Sequence, residues 1–220
     1  MARFGADATV LPDVFPVFPL EGVLLLPGGR LPLNIFEPRY LALTEDALAA
    51  GRVFGMVQPD PTRAEGSNGP ALYRVGCLGR LVSFSETEDG RFMITLLGIS
   101  RFRFSGEATM RRGYRRAEAD FQPFAQDMAP AVAEFERVGL VAALRGFFAR
   151  RGIEADWDAI RRMDDGTLVT TLSMVCPFAP AEKQALLEAP TGSERAAMLL
   201  TLLRMDEHDR DRDGARGPAS

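Results

Sequence analysis

Short apolar bursts broken by proline and glycine fill the first half of the chain, and apolar residues three and four apart fill the second. The run FPLEGVLLLPGGRLPLNIFEPRY over 18–40 shows the first habit most clearly. Pro19, Pro27 and Pro32 each remove a backbone donor and fix φ, while Gly28 and Gly29 permit a tight reversal, so 23–26 and 31–35 are predicted as two short strands around a turn. Glu37, Pro38, Arg39 and Tyr40 then open a helix. Pro38 suits its first position, Tyr40, Leu41, Leu43, Thr44, Ala47 and Leu48 supply the apolar stripe, and Gly51 ends it.

Strand signals dominate 14–121, after a loose leader over 1–10. The polar cluster DPTRAEGSNGP at 60–70 is expected to be a mobile surface loop. A hairpin is predicted between 75–85 and 91–99 through Thr87, Glu88, Asp89 and Gly90. Phe92, Ile94 and Leu96 share one face of its second strand and Met93, Thr95 and Leu97 the other, the pattern of a strand covered on both sides, as in a closed barrel with an outer layer. Arginine alternates with phenylalanine over 101–104 after a bend at Gly98, and 114–121 offers one more strand.

The grammar then changes. A long helix is expected over 131–151, with Val132, Phe135, Val138, Val141, Leu144 and Phe148 inward and Gly152 as its stop. Further helices are expected over 156–163, 167–174 and 181–187, and Thr191 with Glu194 fits a capping box for a last one through Leu199, Leu202 and Leu203. The alternating Asp and Arg of 206–220 predict a disordered tail. Strands first and helices after define an α+β chain, divided into 1–121, 122–205 and the tail.

The quoted runs, taken in order, resemble the substrate-binding (N-terminal) domain of the Lon ATP-dependent proteases. The likeness begins with 18–40 and continues through VFGMV at 53–57, VGCLGR at 75–80, DGR at 89–91, TLLG at 95–98, Arg101 with Phe102, and KQALLEA at 183–189, covering roughly 15–204. Asn34 stands where many relatives have a histidine, so no imidazole role is carried over to it. The resemblance implies a PUA-like β pseudobarrel followed by a C-terminal α-helical bundle.

Composition narrows the chemistry. Of 220 residues, 46% are hydrophobic and 25% charged, which is ordinary globular material. A formal net charge of -4 argues against a general polyanion binder. Cys77 and Cys176 lie in apolar runs and are expected as reduced, buried thiols. With no signal peptide discernible and no run approaching the ~20 apolar residues of a membrane helix, a cytoplasmic protein without membrane contact is expected.

No G-x-x-x-x-G-K-[ST] string occurs, and Lys183, the sole lysine, has no flanking glycines. A hydrolase would have to use Ser173 with Lys183, two residues separated by Cys176, Pro177 and Phe178. His208, the single histidine, lies in the charged tail, and no Cys or His spacing suits a metal. Asp164 with Asp165 is expected to be a solvated surface turn. No catalytic residue, cofactor or metal is assigned. Arg111, Arg112, Tyr114 and Arg115 form the one basic, aromatic-interleaved run that could serve an RNA-binding PUA-like module, with Arg116 beside it.

The reading that follows is a non-catalytic polypeptide-binding or adaptor module. Its expected partners are unfolded or exposed apolar segments, with a separate protease or chaperone downstream, and an RNA-binding module and a hydrolase are the alternatives. An open strand edge and a shallow groove between barrel and bundle would hold the client. Phe36, Tyr40, Met56 and Phe84 are the expected liners, with Arg39 and Arg80 at the rim. Glu37, Arg39 and Tyr40 also have a purely structural role open to them, bracing the strand-to-helix turn.

Overall fold

The computed structural model describes residues 11–129 and 134–214, with side chains up to 205. The expected leader over 1–10 and the last residues, 215–220, lie outside the described part. The described chain falls into two compact units. One holds the residues up to Glu21 together with Arg30–Met128, and the other holds Gly22–Gly29 together with the residues that follow Met128.

The first unit contains β1 (Val14–Pro19), β2 (Arg30–Ile35), α1 (Pro38–Ala49), β3 (Val53–Val57), β4 (Val75–Glu86), β5 (Phe92–Arg111) and β6 (Tyr114–Asp120), then a 3₁₀ segment, Gln122–Met128. Its sheet runs β2-β5-β4-β3-β1-β6, and a further β5–β6 pairing closes five of these strands into a ring. Only β1 and β3 are parallel, aligned Val17 to Gly55. Phe15, Val17, Val57, Leu72, Leu78, Phe102 and Ala117 fill the ring. Phe15 meets Phe102 edge to face at 5.0 Å between centroids, and an added Cβ at Gly76 would sit 2.5 Å from the Phe102 ring, so that glycine is what admits the phenyl group.

The predicted β4–β5 hairpin is present, closed by the Thr87 N–H donating to the Arg91 carbonyl at 2.9 Å. The loop after β3 departs from the mobile segment expected at 60–70. Asn68 Nδ2 donates to Glu107 Oε2 at 2.7 Å, Arg115 Nη1 donates to the Pro70 carbonyl at 2.7 Å, and Pro59 bridges Leu72, so the loop is tied to the barrel. The first unit also runs past 121 to Met128. Arg101 is 2% exposed and Asp127 8%, and the carboxylate takes a forked pair from the guanidinium, Nε at 2.9 Å and Nη2 at 2.8 Å, plus the Arg101 N–H at 2.9 Å. Phe124 lies 4.7 Å from the same guanidinium.

The second unit is built from α2 (Arg137–Arg151), α3 (Trp157–Arg162), α4 (Asp165–Val175), α5 (Pro180–Glu188) and α6 (Gly192–Gly214). It corrects three expectations. Val23–Leu26 forms no strand; Leu24, Leu25 and Leu26 are buried in a strap that belongs to the helical unit, where an added Cβ at Gly29 would overlap Met174 Sδ. Burial of the leucines, each worth about 1.5–3 kcal/mol, outweighs the ladder bonds a strand would offer. Helix α2 begins at Arg137, with the Glu136 carboxylate accepting from Gly139 N–H, and buries Leu140, Leu144, Phe147 and Phe148. That set turns Val138 outward, 79% exposed; Val132 lies outside the described residues. Third, α6 continues to Gly214 through the segment expected to be disordered from 206, because extending a formed helix costs far less than starting one. Its predicted capping box is present: Glu194 N–H donates to Thr191 Oγ1 at 3.1 Å and Thr191 N–H to Glu194 Oε2 at 3.0 Å.

Asp127→Ala should lower the unfolding free energy of the barrel by about 3–5 kcal/mol, because it removes the carboxylate that pairs with the buried Arg101 guanidinium. Urea unfolding measures this. The double change Arg101→Met with Asp127→Leu should recover most of the loss.

Candidate functional site

Strand β2 is the end strand of the sheet: it pairs with β5 from Arg30↔Leu97 to Ile35↔Phe92, and among the described residues no strand pairs its other edge. Arg30 and Pro32 blunt the first half of that edge, whereas Leu33, Asn34 and Ile35 carry no such guard. Alternation turns Leu33 and Ile35 inward against Ile94 and Phe92, and Asn34 outward opposite Met93. Phe36 follows, between the strand and α1, 61% exposed with the Arg91 guanidinium 5.9 Å from its ring. Met93 is exposed as well. Phe84, opposite Ile94, is partly exposed and packs edge to face on Phe92 at 5.0 Å.

The expected liners therefore divide. Phe36, Phe84, Arg39 and Arg80 reach the surface. Tyr40 and Met56, 5% and 3% exposed, belong to the core and present no face to a partner. The Tyr40 ring stacks 4.0 Å from Phe18, between centroids, and burial raises its pKa. Arg39 bonds Glu37 through Nε at 3.0 Å and Nη2 at 2.8 Å while its guanidinium lies 4.5 Å from the Tyr40 ring, the bracing role the sequence left open. Met93 was not among the expected liners, although the alternation along β5 sends it outward while Phe92 and Ile94 go in.

The arginine run proposed for RNA is spent on the fold. Arg112, with a positive φ of 47°, closes the β5–β6 turn and donates to Asp46 Oδ1 at 3.0 Å and Glu45 Oε2 at 2.6 Å on α1. Arg111 pairs with Asp46 at 3.1 Å, and the Tyr114 hydroxyl donates to Asp46 Oδ2 at 2.6 Å. Arg115 is buried and pairs with Glu107. The Tyr114 hydrogen bond, with those of Arg112 and the charge of Arg111, holds Asp46 below the ordinary carboxylate range against the opposing effect of burial. Burial and the Asp46 bond push Tyr114 up to about 12. Burial would raise Glu107, but bonds from Arg115 and Asn68 prevail and hold it low. Each of Arg111, Arg112 and Arg115 thus meets a carboxylate, which removes the surplus charge that phosphate contacts draw on.

Ser173 is fully buried and its Oγ donates to the Val169 carbonyl at 2.8 Å; Lys183 Nζ donates to the Met174 carbonyl at 3.3 Å. A hydroxyl so placed meets no substrate. Burial lowers the Lys183 pKa, and burial pushes the Cys176 thiol up to about 12; Cys77 and Cys176 are both buried thiols outside any disulfide. Asp164 caps α4 by accepting from Thr167 N–H at 2.9 Å, and Asp165 pairs with Arg137. The side chain of His208 lies outside the described residues. Among the described residues no helix is long and apolar enough to cross a membrane.

A closed five-strand barrel with a sixth edge strand, followed in sequence by a helical unit, makes this an α+β chain. The model of the ATP-dependent protease La (LON) substrate-binding domain matches residues 14–205, and the chain belongs to that family. It is similar to Lon protease 2 of Myxococcus xanthus, 29% identical over 110 residues, which is 50% of this chain and 13% of the relative. Likeness to a Lon protease of Cytophaga hutchinsonii is 23% over 207 residues, 91% of this chain and 25% of the relative. The chain thus spans a quarter or less of the length of these curated relatives. Among solved structures, a Lon N-terminal domain protein from Xanthomonas campestris superposes with a TM-score of 0.58 at 23% identity, over 86% of this chain and 97% of that one. The N-terminal domain of Mycobacterium avium complex Lon protease gives 0.60 at 18%, over 87% and 98%, and both show the same fold.

Two outcomes test the polar clusters. A carboxyl whose folded pKa is depressed contributes stability above its unfolded pKa and loses it as pH falls through the folded one. Wild type should therefore lose more stability than Asp46→Asn on acidification below about pH 5, read from urea midpoints against pH. Arg115→Met should release the tied loop, so that trypsin cuts after Arg63 several-fold faster, seen by mass spectrometry of a digestion time course.

Proposed function

We propose that this chain is a non-catalytic polypeptide-binding module that takes an extended apolar segment along the unguarded half of the β2 edge. The observation that carries this is the coincidence of an unpaired strand edge with Phe36, a large apolar side chain left 61% exposed beside it. A client strand would gain main-chain hydrogen bonds from Leu33 to Ile35, which depend little on its sequence. Its alternate side chains would then meet Phe36 and Met93, with Phe84 and Arg80 further along the sheet and Arg39 at the helix start. Family membership supports a polypeptide substrate, and the relatives named as Lon proteases connect that substrate with proteolysis; a separate protease or chaperone would then take the client.

Titrating isotope-labelled protein with a reduced, alkylated unfolded polypeptide should shift the amide signals of Asn34, Ile35, Phe36 and Met93. Phe36→Ser should weaken binding about tenfold, as loss of an apolar anchor does. Unmoved amides, or shifts that persist unchanged in a Phe36→Ser, Met93→Ser double variant, would overturn this reading.

A further inference from the structure

A second surface lies within the helical unit. Helix α2 ends at Gly152, whose φ of 63° turns the chain back so that Trp157, at the start of α3, comes to rest against Phe148 at 6.0 Å between centroids. Between them opens a cleft of about 540 Å³ lined by Arg145, Phe148, Ala149, Ile153, Glu154, Ala155 and Trp157. Five of those side chains are apolar. The Arg145 guanidinium lies over the indole at 4.1 Å, and among the described residues no carboxylate pairs with it. From Arg137 to Arg151, α2 carries four arginines and no acid.

These features specify an occupant. An arginine laid flat on tryptophan is held in place by the ring while its N–H fork stays free, which suits one carboxylate. The apolar floor suits a large hydrocarbon or phenyl group beside that carboxylate. Glu154 on the rim repels a chain of phosphates, so a nucleic acid is the poorer match, and its oxygens can accept a peptide N–H instead. We propose that this cleft docks a polypeptide segment bearing a large apolar side chain next to an acidic residue, with the side chain against Phe148 and Trp157 and the carboxylate on Arg145. The site is separate from the β2 edge and stands or falls independently of it.

Trp157 is the only tryptophan of the 220 residues, so its emission reports on the cleft alone. The full chain is titrated with the blocked peptide Asp-Leu-Phe-Asp, with its amide counterpart Asn-Leu-Phe-Asn and with Asp-Ala-Ala-Asp. The first should change Trp157 emission saturably, and the other two should bind about tenfold more weakly. Arg145→Met, checked for retained helix by circular dichroism, should erase the difference between the acidic and amide peptides, and Phe36→Ser should leave every curve in place. The proposal is overturned by equal curves for the acidic and amide peptides or by no change below millimolar peptide. It is equally overturned by emission that varies with protein concentration alone, which would mark a second copy as occupant, or by displacement of the peptide with a single-stranded oligonucleotide.

Discussion

One edge of β5 has to serve two strands. Its other edge is held by β4 from Phe92 to Arg103, but on this side β2 pairs with residues 92–97 and β6 with Arg103 and beyond. Between the two lies a gap, and there the Arg101 N–H points outward with no strand to receive it. Asp127 fills the gap, accepting that N–H and both arms of the Arg101 guanidinium. Barrel closure through β6 and the free-edged β2 thus exist on one strand because a carboxylate satisfies what neither neighbour reaches. An unmet buried donor there would cost about 1–3 kcal/mol, and loss of the carboxylate from the buried guanidinium more.

The same logic explains where the charges went. Arg112 at a positive φ is sparsely favoured for a side-chain-bearing residue, and its pairing with Glu45 and Asp46 on α1 holds the turn in that conformation. Tyr114 adds a hydroxyl to the same aspartate from the outer face of β6, so α1 is latched to the last hairpin across nearly 70 residues of sequence. Arg115, one position along, points to the opposite face and ties the 60–70 loop. Tyr114 and Arg115 therefore do unrelated jobs, because neighbours on a strand face opposite ways. Arg145 differs in kind: its partner is a ring, which leaves its hydrogen-bonding capacity unspent.

Local patterns made most strands and helices legible. Proline and glycine punctuation marked α1 and the β4–β5 turn, and the Thr191 and Glu194 spacing marked the start of α6. Long-range destinations were not legible. Val23–Leu26 has the composition of a strand, and nothing local says that its leucines are buried in the helical unit. Asp46 reads as one polar residue of an amphipathic helix, yet it is the acceptor for three groups of a distant hairpin. At the candidate site, Phe36 and Phe84 were legible as large apolar residues beside turns. Tyr40 and Met56 look the same in sequence, and only the packing of Phe18 and the barrel around them decides that they are core.

The two candidate surfaces imply different kinds of recognition. Pairing along the β2 edge gains main-chain bonds worth only about 0.5–1.5 kcal/mol net each, because the client gives up water to make them. Guarded by Arg30 and Pro32, the usable edge is a few residues long, so Phe36 and Met93 must supply the anchor. Contacts of that size give weak, fast-exchanging binding that tolerates many sequences, and a client so held can be passed on without a large barrier. The cleft at Trp157 asks for a particular pair of groups side by side, and a mismatch leaves the Arg145 fork or the apolar floor unmet. A polypeptide that satisfied both surfaces would be held by tolerance at one point and by chemistry at the other. Selectivity among clients would then reside in the helical unit, whereas the barrel edge would set only how readily any extended chain is taken up.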